Sequence, residues 1–526
     1  MIAPWKTIQY GIGQAGTNDT LNVLSGTYSE KININKSNLY LRNKANNTPI
    51  LDGAGISSQN AMIQISNQSN ITIEGLEIAN NIQLDAQGIL IDGAGSNLTI
   101  QHCLIHDIHF SSNPNAVVNA NKNAQGIIVY GSDANTPITN LKINDNEIRD
   151  CRLGYSEGLA INGNVDGFEV KRNKVHDITN IGIDLIGHEG TCSNPSNDQA
   201  RNGLIQGNLT YNCLSVYATS GGIYVDGGKY IVIEKNISWH NGYGIEIGCE
   251  NIGKTTDNIL VRDNIFYDNQ ISALALGGFD YPNRGKVITC RFSNNTCYKN
   301  NYNNDQNGEI VLTYSENCVI ENNIFYLSAQ NFLAAASISQ PSLTFDYNLV
   351  YSDNSPANLG TNWNGMEYVS FAAFVANTGT NTYSNIGNPL FVDANITSPN
   401  FHILANSAAK EAGNPLFFTG LNETDIDGEN RKAGLVDCGI DEYYANTSIE
   451  PALQTVLIYP NPVEDKMLVL GENIKGLSIY NQFGEKVREV VNNQATKVEI
   501  DLSELPSGLY FLQTNTGICA KIVKVK

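Results

Sequence analysis

A five-residue phrase recurs through the middle of this chain: Gly, an aliphatic, a variable residue, a second aliphatic, a second variable residue. It reads Gly158-Leu-Ala-Ile-Asn162, Gly182-Ile-Asp-Leu-Ile186, Gly222-Ile-Tyr-Val-Asp226, Gly244-Ile-Glu-Ile-Gly248 and Ala273-Leu-Ala-Leu-Gly277. Alternation of this kind puts the aliphatics on one face of a strand and the variable residues on the other. One such strand cannot bury its apolar face alone, so the copies must stack.

A second phrase follows each of these, as in Val170-Lys-Arg-Asn-Lys-Val-His-Asp177, Val232-Ile-Glu-Lys-Asn-Ile-Ser-Trp-His-Asn241 and Val319-Ile-Glu-Asn-Asn-Ile-Phe-Tyr326. Recurrence at roughly 22 to 40 residues predicts a β-solenoid in which each unit is one coil of short strands. Asn146, Asn173, Asn208, Asn236, Asn264, Asn295, Asn323 and Asn348 hold equivalent places. They predict an internal ladder in a turn, since Asn tolerates left-handed backbone and its amide bonds above and below. That role is structural.

The composition fits a turn-rich, all-β protein: 47 Gly and 16% charged residues among 526. A net charge of −20 argues against nucleic acid or an anionic membrane as partner, and no apolar run reaches membrane-spanning length. Ten cysteines are too few for a disulfide scaffold of this length, and none has zinc-site spacing. Cys151 and Cys213 sit at equivalent repeat positions, which predicts inward stacking; spacing leaves a bridge between Cys192 and Cys249 open. The opening Met1-Ile-Ala-Pro-Trp has neither the charged nor the apolar region of a secretory signal, so none is expected in this sequence.

Residues 4 to about 350 resemble the right-handed parallel β-helix superfamily of pectate lyases, alginate and chondroitin lyases and several glycosidases. The resemblance lies in the repeat pattern and implies a polysaccharide-active protein. The last stretch has Tyr459-Pro-Asn-Pro-Val-Glu-Asp-Lys, Leu477-Ser-Ile-Tyr-Asn-Gln-Phe-Gly and Leu505-Pro-Ser-Gly-Leu-Tyr-Phe-Leu. It is similar to the C-terminal sorting domain of type IX secretion in Bacteroidota, a small β-sandwich, which implies the type IX machinery as partner and a secreted or cell-surface location. The expected order is an N-terminal cap and first coil at 1–58, coils with a groove at 59–355, and a C-terminal cap region at 356–444. A linker at 445–454 and the sorting β-sandwich at 455–526 complete it. Asp425-x-Asp427-Gly reads as an Asx-turn in preference to a calcium loop, because the glutamate that completes an EF-type loop is misplaced.

The chemistry concentrates where the long insertions are: Asp107–Ala124, His188–Asn202, Cys213–Ser220, Cys249–Asp257 and Phe279–Gly285. Only in those coils are the outward positions acidic, whereas Leu90 and Ile128 precede them and Ala275 and Val311 follow. Asp184 and Asp226 are expected one coil apart and two residues along, roughly 8 Å from a ~4.8 Å step and a ~6.6 Å shift; Asp226 and Glu246 repeat that offset. Such a separation suits inverting glycoside hydrolysis, with one carboxyl as acid and one carboxylate as base on water. Asp184, Asp226 and Glu246 are thus the expected catalytic set. Tyr155, Glu157, Asn162, His188, Glu189, Arg201, Tyr224 and Trp239 are expected to bind substrate.

Two other readings use the same residues. Asp184, Asp226 and Glu246 would hold Ca²⁺ in a lyase that removes a uronate C5 proton, although no Lys or Arg stands on the acidic ladder. A glycan-binding adhesin would use the face without turnover. His106, His109, His176 and His240 read as surface or core side chains, since no Ser or Cys nucleophile accompanies them.

Overall fold

The computed structural model describes residues 4–354, 358–417, 423–432, 435–444, 457–459, 461, 463–481, 486–514 and 519–525. Met1–Tyr443 form one compact unit and Tyr444–Lys526 a second; the expected linker at 445–454 lies outside the described residues.

The first unit is the expected parallel β-helix. Its strands build three parallel sheets of 14, 13 and 13 strands. Each coil contributes a strand to the first sheet (as Val165–Lys171), then the second (Lys174–Thr179), then the third (Ile183–Ile186). Pairing aligns aliphatic with aliphatic, so Ile161 faces Leu185 and Leu185 faces Val225. Those side chains are fully buried in one continuous core. A register slip of one residue would turn every one of them outward, which is why the pattern specifies the stack so strongly.

The ends are closed as an open coil requires. Helix Ile8–Gln14, capped by the Thr7 hydroxyl accepting from the Tyr10 N–H, inserts Ile8 and Ile12 into the core. At the far end, helix Phe371–Thr378 places Phe371 and Phe374 there, Phe374 meeting Trp363 edge-on at 5.4 Å. Gly379, at φ 69°, ends that helix in the left-handed conformation that glycine adopts without penalty.

The coils run from within the span expected for the cap and first coil, 1–58, to beyond residue 355. They begin with Asp19–Val23 pairing Leu39–Asn43 and end with Asn385–Ile386 pairing Leu349–Val350. The rest of the expected cap region does not cap. The described residues of 388–443 lie along the flank, where Phe401 and Ile440 cover Ile265, Tyr267, Tyr298 and Tyr326 of the second sheet. Buried Arg431 pins the segment to Asp263 at 2.6 Å. The outward aromatics of that sheet are a dry surface needing cover, so the segment docks on the side.

The asparagine ladder runs as expected. From Asn146 to Asn348 each backbone N–H and side-chain amide donates to the Oδ1 of the next asparagine, at 2.8–3.1 Å. The left-handed residue is the one before each asparagine, as at Asp145, Arg172, Lys235 and Asp263. A second ladder went unread: the Asn241 N–H donates to Asn269, Asn269 donates through backbone and side chain to Asn300, and the column ends on buried Glu309, which accepts from the Asn300 side chain at 2.6 Å. Cys151 and Cys213 share one inward column with Ile178 between them. Cys192 and Cys249 are free.

In the second unit, Leu457–Tyr459, Lys466–Asn481, Lys486–Asp501, Gly508–Thr514 and Cys519–Lys524 form antiparallel pairs around Met467, Val469, Ile479, Ile500, Leu512 and Ile522. A parallel bridge from Val463 to Lys524 brings the edges of this small sandwich together.

Candidate active site

The third sheet carries one outward column through the middle of the solenoid. Its register pairs Leu90 with Ile128, Ile128 with Ala160, Ala160 with Asp184, Asp184 with Tyr224, Tyr224 with Glu246, Glu246 with Ala275 and Ala275 with Val311. The column is apolar at both ends and polar over the rungs between. Asp226 lies two residues beyond Tyr224 on Gly221–Asp226, hence on the same face. It is one rung from Asp184 and one rung from Glu246, two residues along from each.

The insertions wall this face. One cavity of about 470 Å³ is bordered by Asp184, Asp226, Glu246, Glu157, Glu189 and Glu250. A second of about 330 Å³ continues past Ala275 to Phe279 and Arg284. Thr219, Tyr224, Glu246 and Glu250 border both, so the two join into one groove. Each of the five long insertions supplies a wall residue: Asn123, Glu189, Thr219, Glu250 and Arg284.

Asp184, Tyr224 and Asp226 are only 3%, 5% and 6% exposed, and this burial sets the electrostatics. Burial, with the nearby charge of Glu250, pushes the carboxyls of Asp226 and Glu246 up to about 8. Burial and the charges of Glu157 and Asp226 hold Asp184 well above the usual carboxylate range. Glu157 is pushed up to about 8 by burial and by Glu189 and Asp226. At neutral pH the face therefore holds carboxylic acids, the form a general acid needs.

Hydrogen bonds orient some of these groups. The Glu250 N–H donates to Asp226 Oδ1 at 2.8 Å, and the Tyr224 hydroxyl to Glu250 Oε1 at 3.4 Å. Asn251 donates to Glu189 at 2.5 Å, and the Thr191 hydroxyl to Asn162 Oδ1 at 2.8 Å. Asp184 Oδ1 is buried without a hydrogen-bond partner.

Of the residues expected to bind substrate, Tyr155, Glu157, Asn162, Glu189 and Tyr224 line the groove. Three are placed elsewhere. Trp239 belongs to the second sheet, stacked between Tyr211 at 4.3 Å and Tyr267 at 5.7 Å. Arg201 opens a strand of the first sheet and binds Asp166 at 3.1 Å and Asn164 at 2.9 Å. His188 turns away toward the Thr255 carbonyl at 3.2 Å and the Gln199 amide at 3.3 Å. Outward residues of all three sheets share one alternation, so spacing could not tell the sheets apart. Glu250, Gln125, Tyr243 and Arg284 are groove residues that went unread; the only signal for Glu250 and Arg284 was that they lie in long insertions.

His106 and His176 are held by carboxylates of the second sheet, Nδ1 to Asp107 and Asp177 at 2.6 Å and Nε2 to Glu77 and Glu147 at 3.2 and 3.1 Å. As a calcium set Asp184, Asp226 and Glu246 fit poorly, since they do not form a group whose ligand atoms lie within 4.8 Å of one another. Among the described residues the group whose ligand atoms all lie within 4.8 Å is His402, Asp427 and Asp441, on the flanking segment. Asp425 forms the expected turn, its Oδ1 accepting from the Asp427 and Glu429 N–H groups at 3.0 and 2.8 Å.

Comparison with known proteins places the chain. It is 30% identical over 411 residues to the uncharacterized protein YwoF of Bacillus subtilis strain 168, an alignment covering 74% of this chain and 85% of that protein. The chain belongs to the YwoF family. Residues 457–525 match the secretion system C-terminal sorting domain, so this YwoF relative is sorted to the cell surface or the medium. No helix among the described residues is long and apolar enough to cross a membrane. Among solved structures, the pectate lyase Pel9A is 14% identical with a TM-score of 0.44, covering 83% of this chain and 91% of that one. The A-module of the Azotobacter vinelandii mannuronan C-5 epimerase AlgE4 is 13% identical with a TM-score of 0.41, covering 72% and 90%.

Proposed function

We propose that the groove cleaves glycosidic bonds of an extracellular polysaccharide by hydrolysis, while the C-terminal unit engages the type IX secretion machinery. The observation that carries this is the placing of Asp226 between Asp184 and Glu246 on adjacent rungs, all bordering one cavity. Rung geometry separates Asp226 from each neighbour by roughly 8 Å at the backbone, which leaves room for a sugar and a water.

Asp226 acts with one of its two neighbours. Its carboxyl, held at about 8, keeps its proton at neutral pH and donates it to the leaving oxygen as the bond to the anomeric carbon breaks. The other carboxyl enters as carboxylate and takes a proton from water as the oxygen attacks from the opposite face. Two close acids in one dry site divide the roles because ionising one disfavours ionising the other.

Calcium-assisted elimination has less support. It asks for oxygens that converge on an ion, and for a base suited to a uronate in a groove that is itself acidic. Asp226→Asn, and one of Asp184→Asn and Glu246→Gln, should lower kcat by about 10²–10⁴-fold, the span of general acid–base catalysis, with substrate still bound. Full turnover in Asp226→Asn would remove the assignment.

A further inference from the structure

The groove holds more carboxyl groups than acid–base chemistry uses. Hydrolysis employs a pair of carboxylates, yet six border the larger cavity: Glu157, Asp184, Glu189, Asp226, Glu246 and Glu250. Among the described residues that line it, none is Lys, Arg or His. Arg284 stands beyond it in the adjoining cavity, 3.8 Å from Glu250. Asp184, 3% exposed, presents an Oδ1 with no donor. An unpartnered buried carboxylate oxygen is costly, and its position on the groove calls for a donor brought by the ligand.

We propose that the groove is built for a polymer of amino sugars with free amines, whose ammonium groups lie among these carboxylates and complete Asp184. This rests on the groove being the substrate site and names the class of its substrate. The distribution of the acids favours a chain of charges over a single ion. Glu157 precedes Leu159–Gly163, while Asp184, Asp226 and Glu246 lie on the next three strands. Three rung steps carry the acids along about 14 Å of the axis, more than one metal ion can gather. An ammonium group supplies three donors and a full charge, whereas a neutral sugar leaves the acids facing one another and a uronate adds to their repulsion. A cationic ligand sets an opposite charge against the burial and the neighbouring acids that raise these carboxyls, so Glu157, Asp226 and Glu246 ionise as it binds and protons leave.

The test uses full-length Asp226→Asn protein, so that binding is read without cleavage. Hexamers of glucosamine, galactosamine, N-acetylglucosamine and galacturonate are titrated by calorimetry at neutral pH in two buffers of different ionisation enthalpy. A free-amine hexamer should bind at least about tenfold more tightly than the acetylated one, release protons, and weaken as salt rises. Adding Asp184→Asn or, separately, Glu157→Gln should remove most of that preference. Equal or tighter binding of the acetylated or uronate hexamer, or no binding of either amine hexamer, overturns the proposal; so does calcium that binds in the groove and is not displaced by the amine.

Cleavage by wild-type protein, followed as new reducing ends, separates the two readings. An amine hexamer that binds but is never cut removes the hydrolase and leaves this inference standing. A neutral glycan that is cut, with no preference for amines, does the reverse.

Discussion

Replacing Asp226 by Asn asks whether burial holds the catalytic acid protonated. The side chain is 6% exposed and accepts one hydrogen bond, from the Glu250 N–H at 2.8 Å. An amide oxygen accepts that bond as well, so the substitution removes the charge and keeps the shape. In the unfolded chain an Asp titrates near about 3.9, and in the fold Asp226 is pushed up to about 8. The folded value lies above the unfolded one. The protonated group's contribution to stability is therefore complete below about pH 4 and is lost as pH rises through about 8. At ~1.4 kcal/mol per unit the full shift sets a ceiling of ~6 kcal/mol. Water entering the groove brings the expected difference down to about 1–3 kcal/mol, the usual cost of an uncompensated polar group. Guanidinium unfolding of wild type and Asp226→Asn should coincide at about pH 4, with the variant more stable by that amount at about pH 8.5. An equal difference at both values, or a less stable variant at the higher one, would refute the reasoning.

Three further predictions concern other levels of the molecule. The pH profile of kcat should fall as pH rises through about 8, where Asp226 loses the proton it donates; a rate still climbing there contradicts the acid's role. Asn236→Ala takes from the ladder a donor to Ile205 O at 3.0 Å and Asn264 Oδ1 at 2.9 Å, and the acceptor of the Asn208 N–H at 2.8 Å. It should cost about 2–4 kcal/mol in denaturant unfolding with KM unchanged. Arg431→Met leaves Asp263, 1% exposed, without its 2.6 Å partner. A loss of about 3–5 kcal/mol is expected, largely recovered by adding Asp263→Leu; no recovery would show that the pair does more than compensate charge.

The sequence carried much of the solenoid because strand alternation has period two and the Gly-aliphatic phrase repeats. The partners of Asp184, Tyr224 and Glu246 follow directly from aligning the copies. The main ladder was legible for the same reason, while the second was hidden because it ends on Glu309 instead of another asparagine. Which sheet an outward residue belongs to was not legible, and Trp239 was misplaced on that account; Arg201 was read into the insertion His188–Asn202, whereas it opens the first-sheet strand Arg201–Gln206. Glu250 and Arg284 lie on loops whose conformation no periodicity governs. Residues 356–444 were read as a cap region, whereas the flank contacts of Phe401 and Ile440 depend on Tyr267, Tyr298 and Tyr326, whose sheet and outward direction spacing does not give.

The most direct test of the central claim is to incubate the purified full chain with neutral, cationic and uronic polysaccharides, recording new reducing ends and the ultraviolet absorbance of unsaturated uronates together. Hydrolysis in this groove predicts reducing ends without absorbance, unaffected by a calcium chelator and absent in Asp226→Asn. Absorbance rising with the reducing ends and lost on chelation, or cleavage undiminished in Asp226→Asn, would contradict it.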